Sequence, residues 1–216
     1  KVQIWEKLVS TAQNFTIQEI AEPLVSKQDI GDNFYAYITN VEAERNLTNE
    51  GFEEEVVIRA EKGDLSQIWH FEKRDDGSYK ITSIADGNAL DVDYGETISG
   101  ARLQVWRSND ENWQRWYIYE DQGAYLLRAK SGLTLVNIAD NATHEGAKTN
   151  MWVYHGGNAE RFYIRKIVLC DSVSLNCANK TLLGTGATFQ LNGAVSPVGA
   201  TNKTLTWSSS NTAVAT

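Results

Sequence analysis

The sequence has few prolines, few cysteines and no excess of basic residues. Its 216 residues include two prolines, two cysteines and three histidines, and 20 Lys and Arg stand against 28 Asp and Glu, for a net charge of -8. No apolar run approaches membrane-spanning length, and no signal-peptide pattern is found at the start. An acidic chain disfavours nucleic acid and anionic membrane as partners, because both select a basic face. The possible partners that remain are neutral or cationic ligands and other proteins.

Residues that build metal or disulfide sites are also scarce. Cys170 and Cys177 would lie about 23 Å apart on one strand, too far for a mutual disulfide without a turn. Two cysteines do not make a zinc site, so the redox compartment stays open. The stretch DVDYGE at 91–96 hints at a calcium loop but lacks its spacing and its terminal glutamate. We therefore expect no metal and no cofactor.

No arrangement of nucleophile and base is recognisable. The three histidines are far apart in the sequence, without metal or triad spacing. Spacing alone leaves a glycosidase pair of carboxylates open, but nothing singles out two of the acidic residues. We expect this chain not to be an enzyme, although a longer parent protein could carry a catalytic domain elsewhere.

The chain repeats itself about every 46 residues. A Gln-x-Trp or related triplet occurs twice in each unit, ten residues apart, and the first unit lacks the first aromatic. Three copies run from about residue 32 to 167. The first triplets are Val57-Ile58-Arg59, Gln104-Val105-Trp106 and Asn150-Met151-Trp152, and the second are Gln67-Ile68-Trp69, Gln114-Arg115-Trp116 and Glu160-Arg161-Phe162.

Within a unit, apolar and polar residues alternate between Gly, Asp and Asn turns, which predicts short strands. Helical periodicity is nowhere convincing. In a strand, residues i and i+2 share a face, so each triplet directs its amide and its aromatic ring into one layer. We predict that the second triplets build the core, with their buried amides bonded to backbone of the next repeat.

Threefold Gln-x-Trp repeats of this length resemble the ricin B-type (R-type) lectin family. The resemblance implies an all-β fold, a β-trefoil of three repeats of about 46 residues, over residues 21–167. Residues 1–20 contain Gln3-Ile4-Trp5 and Gln13-Asn14-Phe15, again ten apart. We interpret them as the tail of a preceding trefoil repeat, the alternative being that they complete the trefoil of residues 21–167.

After residue 168 the composition shifts to Ser, Thr, Asn, Ala and Gly. The stretch TNKTLTWSSSNTAVAT at 201–216 resembles the bacterial group 2 Ig-like domain. Residues 168–216 are about half of such a domain, which predicts a partial β-sandwich with unpaired strand edges.

The resemblance also implies where a sugar would bind. In the family an Asp accepts hydrogen bonds from sugar hydroxyls, the aromatic of the first triplet stacks on the sugar, and an Asn-Gln pair adds polar contacts. The middle repeat keeps most of this pattern, with Trp113 at the position of the family's Asn. Our predicted sugar-binding residues are Asp91, Gln104, Trp106, Asn112, Trp113 and Gln114.

The other two repeats depart further from the family pattern. The third keeps Trp152 but aligns Val136 with the acceptor Asp and has Glu160 for Gln, so we expect it to be inactive. The first has Thr48 in the Asp position and Arg59 in place of the aromatic, which predicts scaffold only.

The function predicted from the resemblance is a non-catalytic carbohydrate-binding module of a secreted or wall-attached, multimodular bacterial protein. Its partners would be glycans, of galactose or N-acetylgalactosamine type at the family level, and neighbouring modules of the same polypeptide. The alternative is a degenerate trefoil that serves as a structural or protein-interaction spacer in a larger glycoside-active enzyme or adhesin.

Overall fold

The computed structural model describes residues 27–184 and 186–210, and it is all-β as predicted. Within these residues regular structure is limited to strands and single 3-10 turns, and no helix is long and apolar enough to cross a membrane. The 3-10 turns are Leu65–Gln67, Asp93–Gly95, Asn112–Gln114, Ala139–Asn141 and Asn158–Glu160. The strands are β1 (Asn33–Asn40), β2 (Asn46–Thr48), β3 (Val57–Arg59), β4 (Trp69–Lys73), β5 (Tyr79–Ser83), β6 (Ala89–Val92), β7 (Leu103–Trp106), β8 (Arg115–Asp121), β9 (Ala124–Ala129), β10 (Thr134–Ile138), β11 (Ala147–Val153), β12 (Phe162–Ile167), β13 (Ser172–Leu175) and β14 (Gly193–Ser196).

Six of the strands close into a barrel. The antiparallel pairs run β1–β4, β4–β5, β5–β8, β8–β9, β9–β12 and back from β12 to β1. Closure removes the free edges that an open sheet would expose to other chains. Its first and last strands are neighbours, since Tyr35 pairs with Ile167.

Three hairpins cover one end of this barrel. They are β2–β3, β6–β7 and β10–β11, one per repeat, and each is inserted between two barrel strands. The hairpins also touch one another, through the pairs Ala147↔Ile58, Glu55↔Gln104 and Arg102↔Asn150. A six-stranded barrel capped by three hairpins in threefold arrangement is the β-trefoil architecture. The chain enters β1 and leaves β12 at the opposite, uncapped end.

The core is built from equivalent residues of the three repeats. Trp69, Trp116 and Phe162 are each fully buried, as predicted for the second triplets. The two indole N–H groups donate to Leu47 O at 3.0 Å and Leu90 O at 3.2 Å. Burying each ring while satisfying its N–H avoids the cost of an unpaired polar group.

The amides of Gln67 and Gln114 each bind the backbone of a loop in their own repeat. We had predicted bonds to the backbone of the next repeat, so this prediction was wrong. Gln67 and Gln114 are fully buried, and each Oε1 accepts from the backbone N–H five residues earlier, that of Lys62 and of Asn109, at 2.8 Å. Each Nε2 donates to the carbonyl seven residues earlier, at 2.8 and 2.9 Å. The prediction failed because the 3-10 turn brings the amide back over the preceding loop.

Residues 168–184 and 186–210 contain one two-stranded ribbon, β13–β14. A sandwich needs two facing sheets, so the Ig-like half-domain remains a prediction. The ribbon leaves apolar side chains in contact with solvent, including Val173 and Leu175 at 53% and 51% exposure. Cys170 and Cys177 are free thiols. The predicted preceding repeat, residues 1–20, lies outside the described residues.

Candidate functional site

The centre of the candidate site is the carboxylate of Asp91, on β6. It lies opposite Gln104 of β7, so the two side chains share one face of the hairpin. Asp91 Oδ1 accepts from Gln104 Nε2 at 2.9 Å, and Oδ2 accepts from Gln114 Nε2 at 3.0 Å. The structure therefore brings three of the predicted residues together around one carboxylate.

Asp91 as a whole residue is 2% exposed. Burial raises the pKa of Asp91 above its ordinary value, the amide donors Gln104 and Gln114 act against that shift, and the charge of Asp93 adds to it. Each carboxylate oxygen has two lone pairs and uses one of them for an amide. The group keeps acceptor capacity beside the two amides that orient it.

Gln104 is itself fixed by residues that the sequence did not point to. Its Nε2 also donates to Asp93 Oδ1 at 3.0 Å, and its Oε1 accepts from Arg102 Nη1 at 3.0 Å. Arg102 Nη2 in turn donates to Glu53 O in the first repeat. Asp93 was the one partner that the sequence could have indicated, because it lies two residues after Asp91.

Trp106, the predicted stacking residue, lies against an aromatic ring from another repeat. Its ring centroid is 4.9 Å from that of Phe52, with the planes tilted by 32°. Phe52 is 39% exposed, and the guanidinium of Arg107 lies 5.4 Å from its ring. The two rings form an aromatic surface across the boundary between the first and second repeats.

The remaining predicted residues lie on the 3-10 turn before β8. Asn112 is exposed, while Trp113 is half-buried and packs against the core. A Cβ built on Gly95 would lie 2.8 Å from the Trp113 ring, so the indole supports the turn Asp93–Gly95. This contact gives Trp113 a packing role.

An acidic segment runs alongside β7. Glu53 N donates to Val105 O at 3.0 Å, and Val105 N donates to Glu54 O at 3.2 Å, so this loop of the first repeat pairs with the site strand. Glu55 lies opposite Gln104 and forms an ion pair with Lys148. The site is therefore assembled from two repeats, which the linear repeat pattern does not show.

The third repeat corrects the alignment made from sequence. Asn150, the counterpart of Gln104, pairs with Asn137, and Val136 points to the other face opposite Met151. Asn137, not Val136, therefore occupies the Asp position, and its Nδ2 donates to Asn150 Oδ1 at 2.9 Å. The alignment with Val136 was one residue out, and the 46-residue spacing that relates Gln104 to Asn150 also relates Asp91 to Asn137.

Glu160 replaces the glutamine of this repeat and is fully buried. Its Oε1 accepts from His155 N at 3.2 Å and Gly156 N at 2.6 Å, and His155 Nε2 lies 3.6 Å from its Oε2. Burial raises the pKa of Glu160, against the opposing effect of His155. Trp152 beside this loop is 40% exposed.

The first repeat lacks both functional groups. Thr48 pairs with Val57 and accepts from Gln67 Nε2 at 3.2 Å, in the Asp position as predicted. Arg59, in the aromatic position, is held by Glu50 at 2.6 and 2.9 Å.

The region 91–96 does not form a calcium loop. Asp91 and Asp93 each accept from the same amide, Gln104 Nε2. Over 27–184 and 186–210, no three acidic, His or Cys side chains converge as a metal site would require.

Comparison with known proteins agrees with this architecture. The family model described as "Ricin-type beta-trefoil lectin domain-like" matches residues 65–152, which is less than half of the chain. Comparison with the curated proteins gives no match.

Several solved structures share the fold. The designed threefold-symmetric protein ThreeFoil is 23% identical with a TM-score of 0.59, over 61% of this chain and 97% of its own. A ricin B-like lectin from Macrolepiota procera, in complex with lactose, is 18% identical with a TM-score of 0.56, over 64% and 99%. An exo-β-1,3-galactanase from Clostridium thermocellum is 22% identical with a TM-score of 0.60, over 65% of this chain and 32% of the enzyme. Together with the barrel and its three hairpins, these matches show that the chain has the β-trefoil fold, and residues 65–152 are similar to the ricin-type β-trefoil lectin family.

Proposed function

We propose that this chain is a non-catalytic carbohydrate-binding module that holds a sugar at the middle repeat. The observation that carries the proposal is the Asp91 carboxylate, oriented by two side-chain amides at 2.9 and 3.0 Å. A sugar ring has an apolar C–H face and a rim of hydroxyls, so a site needs a fixed acceptor beside an aromatic plane. Trp106 and Phe52 supply that plane.

The sugar class we propose is a neutral galactose or N-acetylgalactosamine glycan. The Macrolepiota lectin was solved with lactose, and a Polyporus squamosus lectin of the same fold, 16% identical with a TM-score of 0.57, was solved with a sialylated galactosyl-N-acetylglucosamine. In this chain three consecutive glutamates, 53–55, run beside β7. Their charge disfavours a sialylated ligand, because like charges close to a site oppose binding.

We further propose that the module belongs to a secreted or wall-attached multimodular bacterial protein, with residues 168–216 as an Ig-like spacer. A single shallow site binds weakly, and modules repeated along one polypeptide would raise the avidity.

A second candidate function is a trefoil that serves as a structural or protein-interaction spacer. The burial of Asp91 and the engagement of both its oxygens by amides favour this alternative, since a satisfied carboxylate can act purely as a structural bond.

A glycan array on the full chain distinguishes the two candidates. We expect the wild type to bind neutral galactosides, Trp106→Ala to lose that binding, and Trp152→Ala, its counterpart in the third repeat, to keep it. Circular dichroism checks that each variant is folded. Binding that survives Trp106→Ala but is lost in Trp152→Ala would move the site to the third repeat. Absence of binding by the folded wild type would favour the spacer.

A further inference from the structure

Tyr94 is displayed beside the candidate site in a way that packing does not explain. Its side chain is 94% exposed, and its backbone is left-handed, with φ 51° and ψ 13°. Bulky residues rarely adopt this conformation, and tyrosine usually buries much of its ring. Unfavourable backbone geometry tends to persist where a side chain has a task.

The turn itself does not require a tyrosine. The third repeat makes the same turn after β10, with Asp140 at φ 56° and ψ 20°. Aspartate tolerates the left-handed region far better than tyrosine does, because its short polar side chain can bond locally. The middle repeat therefore has an aromatic residue at a position where aspartate would adopt the same left-handed backbone with less strain.

The turn that carries Tyr94 is fixed on both sides. Asp93 accepts from Gln104 Nε2 at 3.0 Å, and its N–H donates to Arg102 O at 3.0 Å. On the other side Gly95 packs against the Trp113 ring. A group held in place before binding loses less freedom when a ligand arrives.

Tyr94 and Trp106 lie on opposite sides of the Asp91 carboxylate. Trp106 is opposite Ala89, two residues from the Asp91↔Gln104 pair in one direction along the hairpin. Tyr94 is three residues beyond Asp91 in the other direction. At about 3.3 Å per residue the two aromatics are separated by up to roughly 17 Å, which exceeds one sugar ring.

We propose that Tyr94 is a specificity-determining residue that contacts a second or third unit of a neutral oligosaccharide whose first unit binds at Trp106. This inference rests on the proposed function. It assigns the site to an oligosaccharide chain, with Asp91 and Asp93 facing the hydroxyls between the two aromatics.

The test compares full-length wild type with Tyr94→Asn, since asparagine keeps the left-handed turn without adding charge. Asp140→Asn is the matched control at the same turn of the third repeat. Calorimetry would measure binding of galactose and of neutral galacto-oligosaccharides of two to four units. We expect wild-type affinity to rise with length and Tyr94→Asn to lower oligosaccharide affinity by about tenfold, the upper range for one aromatic contact, with galactose affinity unchanged. Thermal unfolding should show Tyr94→Asn at least as stable as the wild type.

Each other result overturns the inference in a recognisable way. Equal losses for galactose and for the oligosaccharides would make Tyr94 part of the primary site. Unchanged binding by Tyr94→Asn, or wild-type affinity independent of length, would remove the second contact and leave the proposed function standing. A wild type that binds neither galactose nor any of the oligosaccharides would contradict both proposals.

Discussion

At the residue scale, the proposed sugar site should bind in a pH-dependent way, because the carboxylate of Asp91 at its centre is buried. Its ionised form accepts from two amides and has lone pairs left for sugar hydroxyls, whereas its protonated form gives up acceptor capacity. Because burial raises the pKa of Asp91, protonation sets in at a higher pH than for an exposed aspartate.

We therefore expect sugar affinity to be constant near pH 7 and to fall as pH is lowered toward the raised pKa of Asp91. Calorimetric titration with galactose between pH 7 and pH 4 would show it. Asp93→Asn should retain the fall but move it to lower pH, since it leaves the Asp91 carboxyl in place and removes a charge that raises the pKa of Asp91. Affinity that is unchanged down to pH 4 would contradict the role of Asp91 as an acceptor.

Glu160 is a residue whose chemistry conflicts with its position. Gln67 and Gln114 donate from Nε2 to a carbonyl, and an ionised glutamate has no donor. Its raised pKa means that the folded state holds the proton more tightly than the unfolded state does. Its contribution to stability is thus present below the ordinary value of 4.5 and is lost as pH rises through the folded pKa.

Glu160→Gln should consequently raise the free energy of unfolding at pH 7.5 by about 1 kcal/mol and leave it nearly unchanged at pH 4. Urea unfolding at the two pH values measures the difference. The reverse change, Gln67→Glu, should destabilise at pH 7.5. An equal effect of Glu160→Gln at both pH values would show that the charge of Glu160 is not the cause.

At the scale of the element, the turn Asp93–Gly95 depends on close contact with Trp113. Gly95 has φ +66°, and an added Cβ would meet the indole at 2.8 Å. Gly87, in the turn before β6, has φ +74° and would meet nothing within 4 Å. The two glycines share a backbone conformation and differ in their surroundings.

Gly87→Ala should therefore cost about 1 kcal/mol, the strain of a left-handed alanine. Gly95→Ala should cost that amount plus about 1–3 kcal/mol from overpacking against Trp113. Denaturant unfolding measures the free energy of unfolding of both variants, and the difference between their losses gives the cost of the contact with Trp113. Equal losses would mean that the indole shifts without resistance.

The strand spacing and the burial of the second triplets were predictable from sequence, because the alternation of apolar and polar residues and the 46-residue repeat can both be identified from the sequence alone. The position of Asn137 was predictable too, because it follows Asp91 by the 46 residues that separate Gln104 from Asn150, and the structure pairs Asn137 with Asn150. The contact between Phe52 and Trp106 was not predictable, because Phe52 comes from a different repeat. The left-handed turn at Tyr94 gave no signal, as tyrosine is an unusual residue there.

At the scale of the whole molecule, ring closure between β1 and β12 makes the barrel independent of the residues after β12. The bonds described between the barrel end and the later residues join Val168 with Thr201. A fragment of residues 1–168 should unfold in one cooperative transition, with a midpoint close to that of the full chain. Calorimetry of both proteins tests this, and a large drop in the midpoint would show that the C-terminal region stabilises the trefoil.

The chain enters and leaves the barrel at the same end. The start of β1 and the end of β12 lie side by side at one pole, since Tyr35 pairs with Ile167 there. The hairpin that carries Asp91 belongs to the cap at the other pole. The cap that carries Asp91 therefore faces away from the end at which the chain enters and leaves the barrel.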